Sequence, residues 1–156
     1  MPTADDVIAA GRSWMLTPYH HMARVKGHGV DCAQVIIAAF VESGVNEDFD
    51  PGFYTMDWHL HRSDEKYLEF MEKYLVRIDE EWKDAPLGER FGWSPPPASV
   101  VVVKLGRTFS HSALVTNWPN VLHANVHAGC VLEETAVGSL LEDRKLRTYA
   151  HRSLLP

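Results

Sequence analysis

The sequence of 156 residues is poor in cysteine, with only Cys32 and Cys130. Two cysteines cannot form the disulfide framework of a small secreted protein, so we expect both to be reduced when the chain folds. No stretch approaches the roughly 18 apolar residues of a membrane helix, and we expect no membrane insertion. Asp5 and Asp6 stand where a secretory signal would carry basic residues, which predicts synthesis in the cytoplasm without a signal peptide.

Basic residues are also in the minority, with 15 Lys and Arg against 21 Asp and Glu and a formal net charge of -6. Nonspecific binding of nucleic acid depends on clustered Lys and Arg, so we expect no nucleic acid partner. Hydrophobic residues make up 46% of the chain, which is typical of globular proteins. This length and composition predict a single domain over residues 1–156.

The N-terminal part of the chain predicts two helices. The first is expected over residues 4–15. Asp31 can cap the second helix, with Gln34 in the position of a capping box, and the apolar run that follows ends at Gly44. Because this helix is apolar nearly all round, we expect it to be buried, with Cys32 in its first turn.

Residues 45–98 are predicted to form an irregular and helical insertion that shapes a cleft. From Ser63 onwards the apolar residues from Tyr67 to Trp82 share one face, which predicts one continuous helix. The run Pro95–Pro97 can continue neither a helix nor a central strand, and it marks the start of a β-rich part.

The β-rich part predicts a small antiparallel sheet, because β-branched runs and alternating segments are separated by turns. The expected strands cover residues 100–105, 110–116, 121–126, 131–134 and 146–151. The predicted fold class is therefore α+β, with N-terminal helices packed on this sheet.

Three residue types in this arrangement can perform nucleophilic catalysis. A thiol in the first turn of a helix is expected to be more acidic than usual, so Cys32 is either a nucleophile or a small buried apolar residue, and its partners decide between the two. If the turn after the second strand is centred on Trp118, His111 faces Asn125 and lies diagonally from His123. His111 can then accept the thiol proton, and either His123 or Asn125 can orient it.

Nine histidines raise the possibility of a metal site. His20 and His21 would point apart in a strand, while His59 and His61 can share a face. Neither pair has a third ligand at a suitable spacing. We therefore expect no metal and no cofactor.

Four stretches occur in an order that resembles a known family. They are Thr17–Tyr19 (TPY), Gly27–Cys32 (GHGVDC), Phe109–Val115 (FSHSALV) and Val121–Ala124 (VLHA). Together they resemble the NlpC/P60 family of papain-like cysteine peptidases, and most of all its phage-tail branch. The resemblance extends over about residues 7–150, apart from the segment 45–98, and it implies a papain-like fold.

The resemblance implies a role for each matching residue. Cys32 is the nucleophile, His111 the general base and acid, and His123 the group that orients His111. Tyr19 matches a tyrosine whose hydroxyl, with the backbone N–H of Cys32, stabilises an oxyanion. Asp31 matches an acidic residue that holds the free amine of a stem peptide, a role that is compatible with capping the helix.

Ser110 and Gln34 are expected beside the substrate, although the family usually has Gly in the position of Gln34. The resemblance implies hydrolysis of peptidoglycan stem peptides, usually between γ-D-glutamate and the diamino acid. It further implies that the chain joins other proteins of a phage or phage-like tail and acts in the periplasm or cell wall. The alternatives are a catalytically silent tail component and an amidase or acyltransferase of the same fold.

Overall fold

The computed structural model describes residues 1–48, 51, 66–139 and 141–156. Three α-helices lie in these ranges: α1 (Ala4–Arg12), α2 (Cys32–Glu42) and α3 (Lys66–Tyr74). A short hairpin of β1 (Arg24–Val25) and β2 (Gly29–Val30) precedes α2. The other strands are β3 (Val76–Arg77), β4 (Val100–Leu105), β5 (Thr108–Val115), β6 (Asn120–Asn125), β7 (Cys130–Thr135) and β8 (Leu146–Ala150). The predicted α+β class is confirmed.

Helix α1 begins as expected and ends early. Thr3 and Asp6 form a capping box, in which each side chain accepts a hydrogen bond from the backbone N–H of the other. The helix ends at Arg12 rather than at residue 15, because Leu16 adopts a left-handed conformation with φ of 67°. The N–H of Leu16 donates to the carbonyl of Val131, 2.8 Å away, so a contact with β7 replaces the last helical turn.

Helix α2 has the predicted start and burial. The Oδ1 atom of Asp31 accepts a hydrogen bond from the N–H of Gln34 at 2.9 Å, which caps the helix. Residues 32–40 are all buried, so the helix is enclosed on every side. Gly44, with φ of 84°, supplies the left-handed conformation that ends it. No helix in the described ranges is long and apolar enough to cross a membrane.

The single helix predicted from Ser63 to Trp82 is wrong beyond Tyr74. Val76 and Arg77 instead form β3 and pair with β8, and residues 80–82 form a separate 3-10 helix. Hydrogen bonding to the edge of the sheet outweighs the helical period of the sequence here. The segment 45–98 is therefore part of the sheet as well as an insertion, and residues 49–50 and 52–65 of it lie outside the described residues.

The described strands β3 to β8 form one antiparallel sheet in the order β3-β8-β4-β5-β6-β7. Leu114 pairs with Leu122 and Val115 with Val121, which confirms the predicted register centred on Trp118. A β-bulge interrupts the pairing of β4 with β5, because Val103 faces His111 and Lys104 faces Phe109. Ser110 is thus the extra residue on β5.

The two faces of the sheet contact different parts of the chain. Leu114, Leu122 and Ala124 point to the helices and join the main apolar core. The opposite face carries a second cluster, against which Leu87 and Trp93 pack. Its members are Val101, Val103, Ala113, Val115, Val121, Ala136, Leu141 and Leu146. By strand alternation, His111 and His123 project from this second face.

A buried ion pair holds the chain segment that covers the second face. Arg90 and Asp79 are fully buried, with Nη1 and Oδ2 2.6 Å apart. Arg90 also donates to the carbonyls of Ala85 and Leu146, and its guanidinium lies over the ring of Trp93. These contacts satisfy both charges and fix residues 79–93 against the sheet.

Candidate active site

Cys32 is the first residue of α2 and is only 9% exposed. Its Sγ atom lies 3.8 Å from the carbonyl oxygen of Ser110 and 3.8 Å from the hydroxyl of Tyr67. The hydroxyl of Ser112 donates to the carbonyl of Cys32 at 3.2 Å and lies 2.5 Å from the hydroxyl of Tyr67. The thiol is therefore held between α3 and β5.

The surroundings of Cys32 do not make its thiol acidic. Burial, with a smaller contribution from the carboxylate of Asp31, raises the pKa of Cys32 to about 12. The expectation of an acidic thiol is wrong for this arrangement, because loss of water outweighs the helix N-terminus. At neutral pH the sulfur therefore carries its proton.

His111 and His123 form a hydrogen-bonded pair. Nε2 of His111 lies 2.8 Å from Nδ1 of His123, and the two rings meet edge to face. Burial, followed by the neighbouring His123, lowers the pKa of His111 to about 3. His111 is therefore neutral at physiological pH. Its contact with His123 uses Nε2, so Nδ1 is the ring nitrogen that does not take part in this contact.

Asn125 has another partner. Its Oδ1 atom accepts hydrogen bonds from the backbone N–H groups of His127 and Ala128, at 2.9 and 3.1 Å. These bonds close the turn between β6 and β7. Of the two candidates for orienting His111, the structure brings His123 to it and places Asn125 in the turn.

Tyr19 lies near Cys32. Its backbone N–H donates to the carbonyl of Gly129, and the residue forms a β-bridge with Val30. Burial raises the pKa of Tyr19, and the thiol of Cys32 and the carboxylate of Asp31 raise it further. The hydroxyl is therefore protonated, and it is within electrostatic reach of the sulfur.

Asp31 is built into the backbone around the site. It is 2% exposed, and its two oxygens accept hydrogen bonds from the N–H groups of Gln34 and Met22, at 2.9 and 2.8 Å. Nδ1 of His21 lies 3.8 Å from the same carboxylate. Gln34 is also buried. Capping by Asp31 is thus observed, while substrate binding by Asp31 and Gln34 stays a prediction.

Ser110 contributes a buried hydroxyl without a hydrogen-bond partner among the described residues. The residue is 7% exposed and occupies the β-bulge between Phe109 and His111. Bulges next to active sites often redirect side chains. The carbonyl of the same residue contacts the thiol of Cys32. The unpartnered hydroxyl agrees with a contact to substrate, and that contact stays a prediction.

Sequence reasoning missed three residues at this site: Tyr67, Ser112 and Glu134. Tyr67 was assigned to a core face, and no local pattern indicates that α3 would bring its hydroxyl to the thiol. Ser112 alternates with His111, so the strand pattern already predicts that it faces α2. Oε1 of Glu134 lies 3.3 Å from Nε2 of His123, a contact that the β6–β7 register alone would have revealed.

No cluster of three or more His, Cys, Asp or Glu side chains suited to a metal ion occurs in the described part of the chain. His59 and His61 lie outside it. Cys130 is a free, half-buried cysteine opposite Asn125.

Sequence comparisons and structural comparisons give different results. No family model matches the chain, and no curated protein matches it. Solved structures do match. The NlpC/P60 domain of the peptidoglycan hydrolase SagA superposes with a TM-score of 0.59 at 13% identity, covering 94% of this chain and 97% of that one. This is the NlpC/P60 fold.

Two further solved structures are similar to this chain. The peptidoglycan hydrolase RipB of Mycobacterium tuberculosis gives a TM-score of 0.57 at 16% identity over 98% of this chain. An NlpC/P60 family protein of Bacillus cereus gives 0.63 at 16% identity over 96% of this chain. The match spans 65% of the RipB chain and 40% of the Bacillus cereus chain.

Proposed function

We propose that this chain is a cysteine peptidase that hydrolyses an amide bond in the stem peptides of peptidoglycan. The observation that carries the proposal is the hydrogen-bonded pair of His111 and His123, which adjoins the residue whose carbonyl contacts the thiol of Cys32. A nucleophile, a base and a group that orients the base are the parts that acyl transfer requires. The fold shared with the peptidoglycan hydrolases SagA and RipB supports the choice of substrate.

The first step begins from a neutral thiol and a neutral imidazole. The pKa of Cys32 is raised to about 12 and that of His111 is lowered to about 3, so an ion pair between them is not the resting state. The reaction requires the thiol to leave Tyr67 and the carbonyl of Ser110 and to come within hydrogen-bond reach of His111, which projects from the other face of β5. As the sulfur attacks the carbonyl carbon, Nδ1 of His111 accepts the thiol proton and the C–S bond forms.

The second half of the reaction returns the proton. The backbone N–H of Cys32, which is free in the first turn of α2, and the hydroxyl of Tyr19 stabilise the oxyanion. The C–N bond then breaks, and His111 protonates the leaving amine. Water attacks the thioester with His111 as base, the C–S bond breaks, and the sulfur regains its proton.

The bond and the biological setting rest on the motifs of the sequence. We propose cleavage between γ-D-glutamate and the diamino acid, with Asp31, Gln34 and Ser110 contacting the stem peptide. The same motifs support a chain that joins a phage-like tail and acts on the wall from there.

The proposal is tested by mass spectrometry of fragments released from purified peptidoglycan. The parent protein and a Cys130→Ala variant should release stem-peptide fragments whose masses identify the bond, whereas Cys32→Ala should release none. Because Cys130 is the other cysteine of the chain, it is the matched control for Cys32. Equal release by Cys32→Ala would reject a cysteine peptidase.

A silent tail component is the second candidate, and one observation favours it. Sγ of Cys32 contacts Tyr67 and Ser110, and its pKa is raised to about 12, which is a resting arrangement for an unreactive thiol. This candidate predicts no release of fragments by the folded parent. It also predicts that Cys32→Ala enters tail particles and leaves their infectivity unchanged.

A further inference from the structure

Three side chains on adjacent strands form a line behind the site. His111 of β5 contacts His123 of β6, and His123 contacts Glu134 of β7. The separations are 2.8 Å between Nε2 of His111 and Nδ1 of His123, and 3.3 Å between Nε2 of His123 and Oε1 of Glu134. His123 is fully buried, while the side chain of Glu134 is 33% exposed. A carboxylate at the protein surface is thus connected to the buried histidine pair.

The contact with Glu134 decides which nitrogen of His123 carries hydrogen. A carboxylate is an acceptor only, so it favours a hydrogen on the nitrogen that it faces, which is Nε2. With the hydrogen on Nδ1 instead, the lone pair of Nε2 would face the negative oxygen, which is repulsive. Nε2 makes no other hydrogen bond among the described residues, and Oε1 of Glu134 lies 3.3 Å from it. Glu134 is therefore the nearby acceptor available to that N–H.

The tautomer of His123 then determines that of His111. With its hydrogen on Nε2, a neutral His123 can only accept a hydrogen bond at Nδ1. The bond of 2.8 Å therefore requires the hydrogen of His111 to lie on Nε2. This leaves the lone pair of His111 on Nδ1, the nitrogen that the proposed reaction uses as its base.

We propose that Glu134 is a positioning residue that sets the tautomers of His123 and His111 and thereby prepares the base. The catalytic part of this inference rests on the proposed function, whereas the tautomers do not. Glu134 acts through His123 and does not contact the reacting atoms. It extends the pair of histidines to a relay of three groups that ends at the surface.

The electrostatic surroundings of His123 are simple. Burial lowers the pKa of His123, and the charge of Glu134 opposes that shift. Among the described residues, the titratable groups that face it are His111 from β5 and Glu134 from β7. Glu133, the neighbour of Glu134, is directed to Arg12 and Thr116 instead. Glu133 therefore offers a matched control on the same strand.

The test is to assign the tautomers by nitrogen-15 NMR of the imidazole rings in the full chain at pH 7.5. We expect hydrogen on Nε2 of both His111 and His123. Glu134→Ala should give a mixture of tautomers at His123, while Glu134→Gln should retain the parent state because its carbonyl oxygen still accepts. Glu133→Gln should also match the parent. Hydrogen on Nδ1 of His123 in the parent, or an unchanged spectrum in Glu134→Ala, would overturn the proposal.

Kinetics on a stem-peptide substrate separate this inference from the proposed function. Glu134→Ala should lower kcat by about 10–100-fold, the effect of removing a group that orients another, and leave KM unchanged. Glu134→Gln should recover most of the loss. An equal loss in Glu134→Gln and Glu134→Ala would contradict the role of the acceptor. If the parent cleaves no substrate, the proposed function fails, and the NMR spectra still decide the tautomers.

Discussion

The two halves of the candidate site differ in how ready they are for chemistry. On the sheet, His111 and His123 are already hydrogen-bonded to each other. On the helical side, the thiol of Cys32 contacts Tyr67 and the carbonyl of Ser110, which are groups that do not react. In the proposed reaction, the histidine pair is therefore preorganised and the thiol has to move. The barrier of that proposed reaction includes the release and deprotonation of the thiol.

The same two halves are assembled in different ways. The base and its partners come from β5, β6 and β7, which are consecutive in the chain and joined by short turns. The thiol is held by α2, α3 and β5, and Tyr67 is 35 residues from Cys32 in the sequence. Short-range strand pairing positions His111, whereas packing between distant segments positions Cys32.

The largest expected effect comes from removing the base. His111→Ala should lower kcat/KM by about a thousandfold, because a general base contributes about 10²–10⁴ to the rate. In the same variant, the rate of alkylation of Cys32 by iodoacetamide at pH 8 should differ from that of the parent by less than twofold. The reason is that the resting thiol contacts Tyr67 and Ser110 rather than His111. Both rates are measured on the same preparations.

The loss of kcat/KM and the loss of alkylation rate in His111→Ala together test whether the two halves of the site are separate. A parallel fall in alkylation and in peptide cleavage would mean that His111 already activates the resting thiol. Cys32 and His111 would then form a preformed ion pair, and the distinction between a preorganised histidine pair and a resting thiol would be wrong. Cys130→Ala serves as the background, so that Cys32 is the only thiol that reacts.

The two halves of the site should affect the stability of the protein at opposite ends of the pH range. On the acid side, burial lowers the pKa of His111 from 6.5 to about 3. Between these values the unfolded chain binds the extra proton, so stability falls as the pH falls. His111→Gln, whose amide can still donate to His123, should reduce the slope by about 1.4 kcal/mol per pH unit. Urea unfolding between pH 6.5 and 4 measures this slope.

On the alkaline side the thiol determines the change. Burial raises the pKa of Cys32 from 9.0 to about 12, so the unfolded chain loses this proton first. Stability should therefore fall as the pH rises above 9, again by about 1.4 kcal/mol per pH unit. Cys32→Ala should remove that part of the slope and leave the acid side unchanged. A change on the acid side in this variant would show that the two halves titrate together.

The sequence predicts the sheet half of the site far better than the helical half. Strand alternation and one turn centre are sufficient to place His111 near His123, and the observed register of β5 with β6 agrees. The helix that presents Cys32 is predictable from its cap at Asp31 and its apolar run. These are local properties of short segments.

The failures have a different physical origin. The helix expected through Trp82 ends at Tyr74 because Val76 and Arg77 pair with β8, about 70 residues later in the chain. The expected acidic thiol depends on exposure to water, which the packing of α3 removes. Neither a distant strand partner nor the burial of one atom is visible in a local pattern.

Tyr67 offers the smallest and most specific change to the helical half. When the thiol ionises, the hydroxyl of Tyr67 can donate to the sulfur at 3.8 Å, a contact that lowers the pKa of Cys32. Tyr67→Phe should therefore raise that pKa further and slow alkylation of Cys32 a few-fold at pH 8, which is roughly 0.5–1 kcal/mol for one weak hydrogen bond. The pH dependence of the alkylation rate measures the shift.

The direction of this change decides what Tyr67 does. Faster alkylation in Tyr67→Phe would mean that the hydroxyl restrains the thiol in its resting position more than it stabilises the thiolate. Tyr74→Phe is the matched control, because Tyr74 lies on the same helix and packs on Phe70. If only Tyr67→Phe alters the reactivity of Cys32 while His111 keeps its tautomer, the nucleophile and the base are tuned by separate parts of the fold. If the tautomer changes as well, α3 controls both halves of the site.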